Sequence, residues 1–415
     1  MAGNGREDRV PAADRGQTDC TGCCSTRDHS RCSCADRGGQ VRRVAVVAAT
    51  GLSVLLASCG LFSSDKGKPE PKELVPVKPT IAGKVVWTSS TAEVEFPLSV
   101  AVNGSTFTVG ASDGSLIALD AAKGREIWRA DAQSALSAGV GSDGKFAAVV
   151  TREGQIVVFE GGRERWRQPA GTRVITAPLV AGERVFVVGL DRSVSAYDAL
   201  NGARLWSVQR PGDPLTLAQA GVAMAFKNTL LVSQGARLAS LDPSNGALRW
   251  EVALATPRGA NEIERLADLV GPAVRVGDVV CVRAYQASVG CINAETGQLL
   301  WTKTFGGRGG LAADEHHVYA ADGADRITAW KAQTGEVAWT SDAYEYRQLT
   351  TPFSLGPVLV FGDFEGQLHF LSSDHGAAQL IVPTDGAPMA AAPVVSGTTV
   401  LIVTRDGGLF ALRPE

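Results

Sequence analysis

The chain has 415 residues and a formal net charge of −3, with 45% of its residues hydrophobic and 20% charged. That balance suits one large globular domain with a sizeable core and excludes an intrinsically disordered chain. No basic block lies beyond the first few dozen positions, which argues against a nucleic-acid partner. The 47 glycines fit an all-β chain with many tight turns, and no glycine cluster has the strand before and helix after that a phosphate-cradling loop needs.

Residues 1–40 contain five of the eight cysteines (Cys20, Cys23, Cys24, Cys32 and Cys34). Their spacing could be read as a zinc site. The surroundings are rich in Gly, Arg and Asp, and no apolar periodicity is present to build a fold around a metal. The segment also precedes an export signal, so it reads as an extension absent from the mature protein, with Val41 before Arg42-Arg43 as an alternative start. Residues 41–58 form that signal: two arginines, an apolar run of about fifteen residues and then small residues. The run is short for a membrane span of about twenty residues. It ends Leu56-Ala57-Ser58-Cys59, which resembles a bacterial lipobox, so Cys59 is the expected lipidation site. Gly60 follows rather than aspartate, which in lipoproteins of this type implies the outer membrane. Residues 59–83 contain Pro69, Pro71, Pro76 and Pro79 and read as an extended tether. Removing residues 1–58 leaves 32 positive and 37 negative groups, a net of −5.

The segment 84–415 is periodic. Each copy has alternating runs, a glycine turn, and a tryptophan four residues after that glycine: Gly124 and Trp128, Gly162 and Trp166, Gly202 and Trp206, Gly246 and Trp250, Gly297 and Trp301, Gly335 and Trp339. In a seventh copy, Gly376 is followed by Leu380 instead. Successive positions are 38, 40, 44, 51, 38 and 41 residues apart. The period-two alternation excludes a helical solenoid. Several short strands in about forty residues match a propeller blade. The last repeat, Val400–Val403 then Gly408–Leu412, stops where its outer strand should begin, and Lys84-Val85-Val86-Trp87 at the start supplies it. The expected fold is therefore all-β, an eight-bladed β-propeller of quinoprotein-like (PQQ-like) repeats whose ring is closed by the N-terminal strand.

Two connections are long. Trp166 to Pro178 spans 12 residues and Trp339 to Pro352 spans 13, but Trp250 to Pro272 spans 22. The stretch after Trp206 is also extended, by about five residues. Both occupy the link from an outer strand to the next inner strand in consecutive blades, so they emerge side by side on one face, where function usually lives. Further on, Cys281 and Cys291 flank a hairpin around Gln286. A cross-strand disulfide and two buried free thiols are both open readings.

The repeat D-A-x-x-G-x-x-x-W, as in Asp120-Ala121-Ala122-Lys123-Gly124-Arg125-Glu126-Ile127-Trp128, resembles the tryptophan-docking repeat of quinoprotein propellers. With the lipobox, the proline-rich tether and the total size, residues 59–415 resemble the BamB family, propeller lipoproteins of the β-barrel assembly (BAM) machinery in the outer membrane of Gram-negative bacteria. The resemblance implies a non-enzymatic, lipid-anchored, periplasm-facing protein without cofactor or metal. Its implied partners are the POTRA domains of BamA, other BAM components and unfolded outer-membrane clients. It also implies that the loops carrying Pro214-Leu215-Thr216-Leu217-Ala218 and Asn261–Asp268 contact BamA, with Leu215, Leu217 and Asp268 at matching positions. Two positions depart: Ala218 replaces an expected arginine and Val270 an expected acidic residue. The charged part of the contact is then weaker, or rebuilt with Glu264 and Arg265. The same leucines, with Leu266, would equally serve to pin long loops to the ring.

Three rival readings can be set against this one. A PQQ-dependent dehydrogenase would need an axial pocket, a calcium site of carboxylate and amide oxygens and commonly adjacent cysteines. The mature chain has no adjacent cysteines, and its blades lack long pocket-building insertions. A hydrolase finds no H-E-x-x-H or G-x-S-x-G around His316, His317, His369 or His375. A generic scaffold lipoprotein of another envelope complex shares every feature except the loop match.

Overall fold

The computed structural model describes residues 69–212, 215–256 and 259–415. The N-terminal extension, the signal segment, Cys59, the first part of the tether and Pro214 lie outside the described residues.

The alternating runs pair into eight antiparallel sheets of four strands each. In blade one, Ala101–Asn103, Thr106–Gly110, Ser115–Asp120 and Glu126–Asp131 follow one another from the axis outwards. The two middle strands are buried on both faces, because each blade packs against a neighbour on either side. Blades two to seven repeat this order. Blade eight combines Val394–Ser396, Thr399–Val403 and Gly408–Pro414 with Gly83–Ser90, and its register runs from Gly83 opposite Pro414 to Ser90 opposite Gly408. The ring is thus closed by its own first strand, as the orphan Trp87 predicts. Beyond the strand, Thr91 N–H donates to Gly407 O at 2.9 Å and Val94 N–H to Arg405 O at 2.8 Å.

The tryptophans join blade to blade. The indole N–H of Trp166 in blade two donates to Ala199 O of blade three at 2.8 Å, and Trp206, Trp301 and Trp339 reach Pro243, Ala332 and Ser373 in the same way. Trp87 of the closing strand reaches Ala121 of blade one at 3.0 Å. Each ring lies on the turn glycine of the next blade. At Gly202 the φ of +75° suits glycine, and a Cβ would sit 2.7 Å from the Trp166 ring. An outer-strand bulge recurs in every blade. Ala118 faces Trp128 but Leu119 faces Glu126, which leaves Ile127 as an extra residue, and the equivalent extras include Arg165, Leu205 and Leu300. The bulge twists the strand just before the tryptophan, and the alternation pattern alone does not announce it.

The exception, Leu380, has a physical reason. Blade seven faces blade eight, where the termini meet and the D-A-x-x-G turn does not exist. No turn glycine is there to receive an indole. Leu380 packs instead with Ile81 and Val382 in an apolar cluster.

Cys281 and Cys291 are directly opposite in register, with Gln286 in the hairpin turn at φ +51°. The structure joins them in a disulfide with Cα atoms 4.1 Å apart, buried beside Trp301 and Trp330. The tether is extended up to Thr80, as its prolines require, and from Lys72 onward it is seated on the ring. Lys72 N–H donates to Glu345 O at 2.9 Å and Thr80 N–H to Gln379 O at 3.0 Å.

Two outcomes follow from this packing. Trp166→Ala removes a buried indole and leaves Ala199 O without its donor, at an expected cost of about 3–5 kcal/mol, read as a lower denaturation midpoint; Leu380→Ala should cost less. Thiol labelling of the unfolded mature chain without reductant should modify neither Cys281 nor Cys291. Replacing both by alanine should lower stability by about 2–3 kcal/mol, the entropy of closing a short loop. Ready labelling of both cysteines would contradict this.

Candidate functional site

The two long connections lie where their sequence positions require, on the face where outer strands hand over to inner strands. The first joins Arg204–Gln209 to Ala223–Phe226, and the second joins Leu248–Ala253 to Leu269–Val276. They are tied to each other. The carboxylate of Asp268 accepts a hydrogen bond from Leu217 N–H at 2.8 Å, and Gly271 N–H donates to Ala220 O at 2.8 Å. Each loop is also pinned to the ring. Gly221 N–H donates to Thr176 Oγ1 at 2.9 Å, and Leu269 N–H donates to Gly235 O at 2.8 Å.

The five expected contact residues divide by what they do here. Leu215 is 37% exposed and lines the groove between the loops, whereas Leu217 is half-buried. Asp268 spends its carboxylate on the other loop. Glu264 builds a small capping turn: Glu264 N–H donates to Asn261 Oδ1, and Ala260 N–H and Asn261 Nδ2 donate back to its carboxylate, all at 2.8–2.9 Å. Arg265 is half-buried in the wall of a groove of about 420 Å³ between the loops, with Leu215 and Leu266 beside it. Val270, at the position where an acid was expected, is buried, and Ala218 is exposed.

Three residues escape a reading of the sequence. Ile263 is 73% exposed at the crest of the second loop, the most exposed large apolar side chain of the two loops among the described residues. Its signal is an isoleucine within the run Asn261–Arg265 that is otherwise polar. Arg192 reaches the groove from blade three, and a Cβ at either Gly212 or Gly235 would run into its guanidinium. Arg283, opposite Val270 in register, is wholly buried, and its Nη1 donates to Gly306 O at 3.2 Å. Burial lowers its pKa to about 10, with Asp322 opposing the shift, so it stays protonated at neutral pH.

An axial cavity of about 570 Å³ is lined by apolar residues such as Pro97, Ala220, Pro272 and Met389 together with neutral polar ones such as Thr176, Gln348 and Thr351, with Arg405 as the single charged side chain. With no carboxylate in that lining, it does not fit a calcium-bound quinone. Among the described residues no group of three or more His, Cys, Asp or Glu could hold a metal. His316 lies in a surface turn capped by Asp314, as its polar context suggests. His369 is buried, and its Nε2 lies 3.0 Å from Asp363. Arg347 donates to the same carboxylate, so Asp363 is fully committed.

Comparison with known proteins agrees with this geometry. The family model described as outer membrane protein assembly factor BamB matches residues 77–136 and 112–341. The BamB proteins of Bordetella pertussis and Burkholderia pseudomallei are 35% and 33% identical over 382 and 378 residues, covering 91% and 90% of this chain and 98% and 99% of their own. Among solved structures, BamB from Moraxella catarrhalis superposes with a TM-score of 0.72 at 20% identity, over 80% of this chain and 100% of its own. A quinohemoprotein alcohol dehydrogenase from Pseudomonas putida superposes at 0.62 with 14% identity, over 80% of this chain and 76% of its own. That enzyme shares the fold alone, and the curated relatives are assembly factors. By the family match and the full-length identity, this chain belongs to the BamB family of outer membrane protein assembly factors.

Proposed function

We propose that the chain is a non-enzymatic lipoprotein of the outer-membrane β-barrel assembly machinery. It is anchored through Cys59, faces the periplasm, and binds the POTRA domains of BamA through its two long loops while outer-membrane clients are folded and inserted. The observation that carries the loop assignment is the cross-tie between Asp268 and Leu217 N–H. It makes two separate insertions into one surface and leaves Leu215 and Ile263 exposed on a rigid ring. Exposed aliphatic side chains on a preorganised backbone lose little entropy when a partner covers them. Asp268, on this reading, acts by shaping the surface, and the charge available to the partner comes from the groove, where Arg192 and Arg265 stand beside Glu262.

The test uses the non-lipidated chain from Gly60 onward and the periplasmic POTRA region of the same organism's BamA. Saturable binding is expected. Leu215→Asp with Leu217→Asp should weaken it at least about tenfold, or 1.4 kcal/mol, without moving the thermal unfolding midpoint. Absence of binding by a folded propeller would overturn the POTRA reading and leave the fold untouched. Asp268→Ala should speed amide exchange at Leu217 and weaken binding by about 1–2 kcal/mol, although it removes no outward-facing group. An unchanged exchange rate at Leu217 would show that the cross-tie does not organise the surface.

A further inference from the structure

The closing strand begins at Gly83 on the face opposite the two long loops. In each blade the third-to-fourth-strand turn lies on that face, and Gly83 pairs with Pro414 where such a turn would be. A chain leaving directly from Gly83 would carry its anchor away from the loops. It does not leave there. Thr80 is held by Gln379 near the start of the outer strand of blade seven, still on the opposite face. From there the chain climbs beside that strand to Lys72, which is held by the connection between blades six and seven. That connection is of the same kind as the two long loops and lies on their face. Eight residues at about 3.3 Å each match the height of a six-residue strand with a little to spare.

The crossing is built from specific contacts at both ends and between. Lys72 N–H donates to Glu345 O at 2.9 Å. Lys72 O accepts from Nη1 of Arg347 at 3.1 Å, and Lys72 Nζ lies 3.1 Å from Asp342. Arg347, the donor to the strap, is itself held by Asp363 and Glu365 of the ring. Leu74 packs against the cluster between blades six and seven that contains Tyr344 and Phe361, and Ile81 packs beside Leu380.

We infer that residues 72–82 are a strap that carries the anchored end of the chain across the ring and releases it on the face of the two long loops. Lys72 lies thirteen positions after Cys59. At 3.3–3.6 Å each, their contour is at most about 45 Å, against about 80 Å if the chain were free from Gly83. The strap therefore turns the loop face toward the lipid surface and halves the distance the ring can move from it. This rests on Cys59 being the lipid anchor.

The test uses the full lipidated protein on vesicles of phosphatidylethanolamine and phosphatidylglycerol carrying an acceptor dye on their headgroups. A donor dye is placed at Glu153→Cys, in an exposed turn of the loop face, or at Lys123→Cys, in an exposed turn of the opposite face. Higher transfer from the loop-face position is expected. Leu74→Asp, or Val77→Asp as an independent variant, should abolish the difference with the ring still folded by circular dichroism. Equal transfer in the unaltered protein, or a difference that survives both substitutions, would overturn the strap. Failure of the protein to float with the vesicles would instead remove the Cys59 anchor, and the inference with it.

Discussion

Seven of the eight joints of the ring depend on one contact, an indole laid on the turn glycine of the next blade, and in five of them the indole N–H donates to that turn's backbone. It satisfies a buried carbonyl, covers a large apolar face and fixes the angle between neighbours in one stroke. The turn must carry glycine there because both the backbone angle and the space demand it, as Gly202 under Trp166 shows. The bulge before each tryptophan is the other half of the device, since it turns the side chain out of its own sheet and onto the neighbour. Because the joint is local and repeated, blades can differ in their connections without disturbing the ring. The long loops after blades three and four exploit that freedom.

Function on such a scaffold is a matter of which connections have grown and how they are braced. The two long loops have grown side by side, and Asp268 braces one with the other. The surface they form is mixed, with aliphatic side chains at the crest and arginines in the groove beneath. The axial cavity, where enzymes of this fold class would keep a cofactor, has no carboxylate in its walls. On the proposed reading the binding surface lies on the two loops and not at the axis.

Much of this was legible in the sequence because it repeats. The Gly-to-Trp spacing revealed seven blades, the orphan Trp87 revealed the eighth, and the position of Gln286 placed Cys281 opposite Cys291. Single, non-repeating arrangements were not legible. Nothing in the order of residues says that Asp268 reaches a backbone amide fifty-one positions away, or that Glu264 closes a turn on Asn261. Leu380 looked like a defective repeat and proved to be the residue suited to a joint with no turn glycine. The proline-rich tether read as a spacer because composition reports stiffness and says nothing of docking. Its seat is a carbonyl–arginine contact that has no periodicity to betray it.

Closure by the first strand has a consequence for how the molecule is made. The strand containing Trp87 is the first of the described strands, yet its partner, Gly408–Pro414, is the last of them. More than three hundred residues must arrive between them. Until Gly408–Pro414 is in place, Gly83–Ser90 has no strand partner, although its Trp87 can already seat on the turn of blade one. A chain cut before Gly408 would leave its first strand unpaired and the facing sides of blades one and seven uncovered.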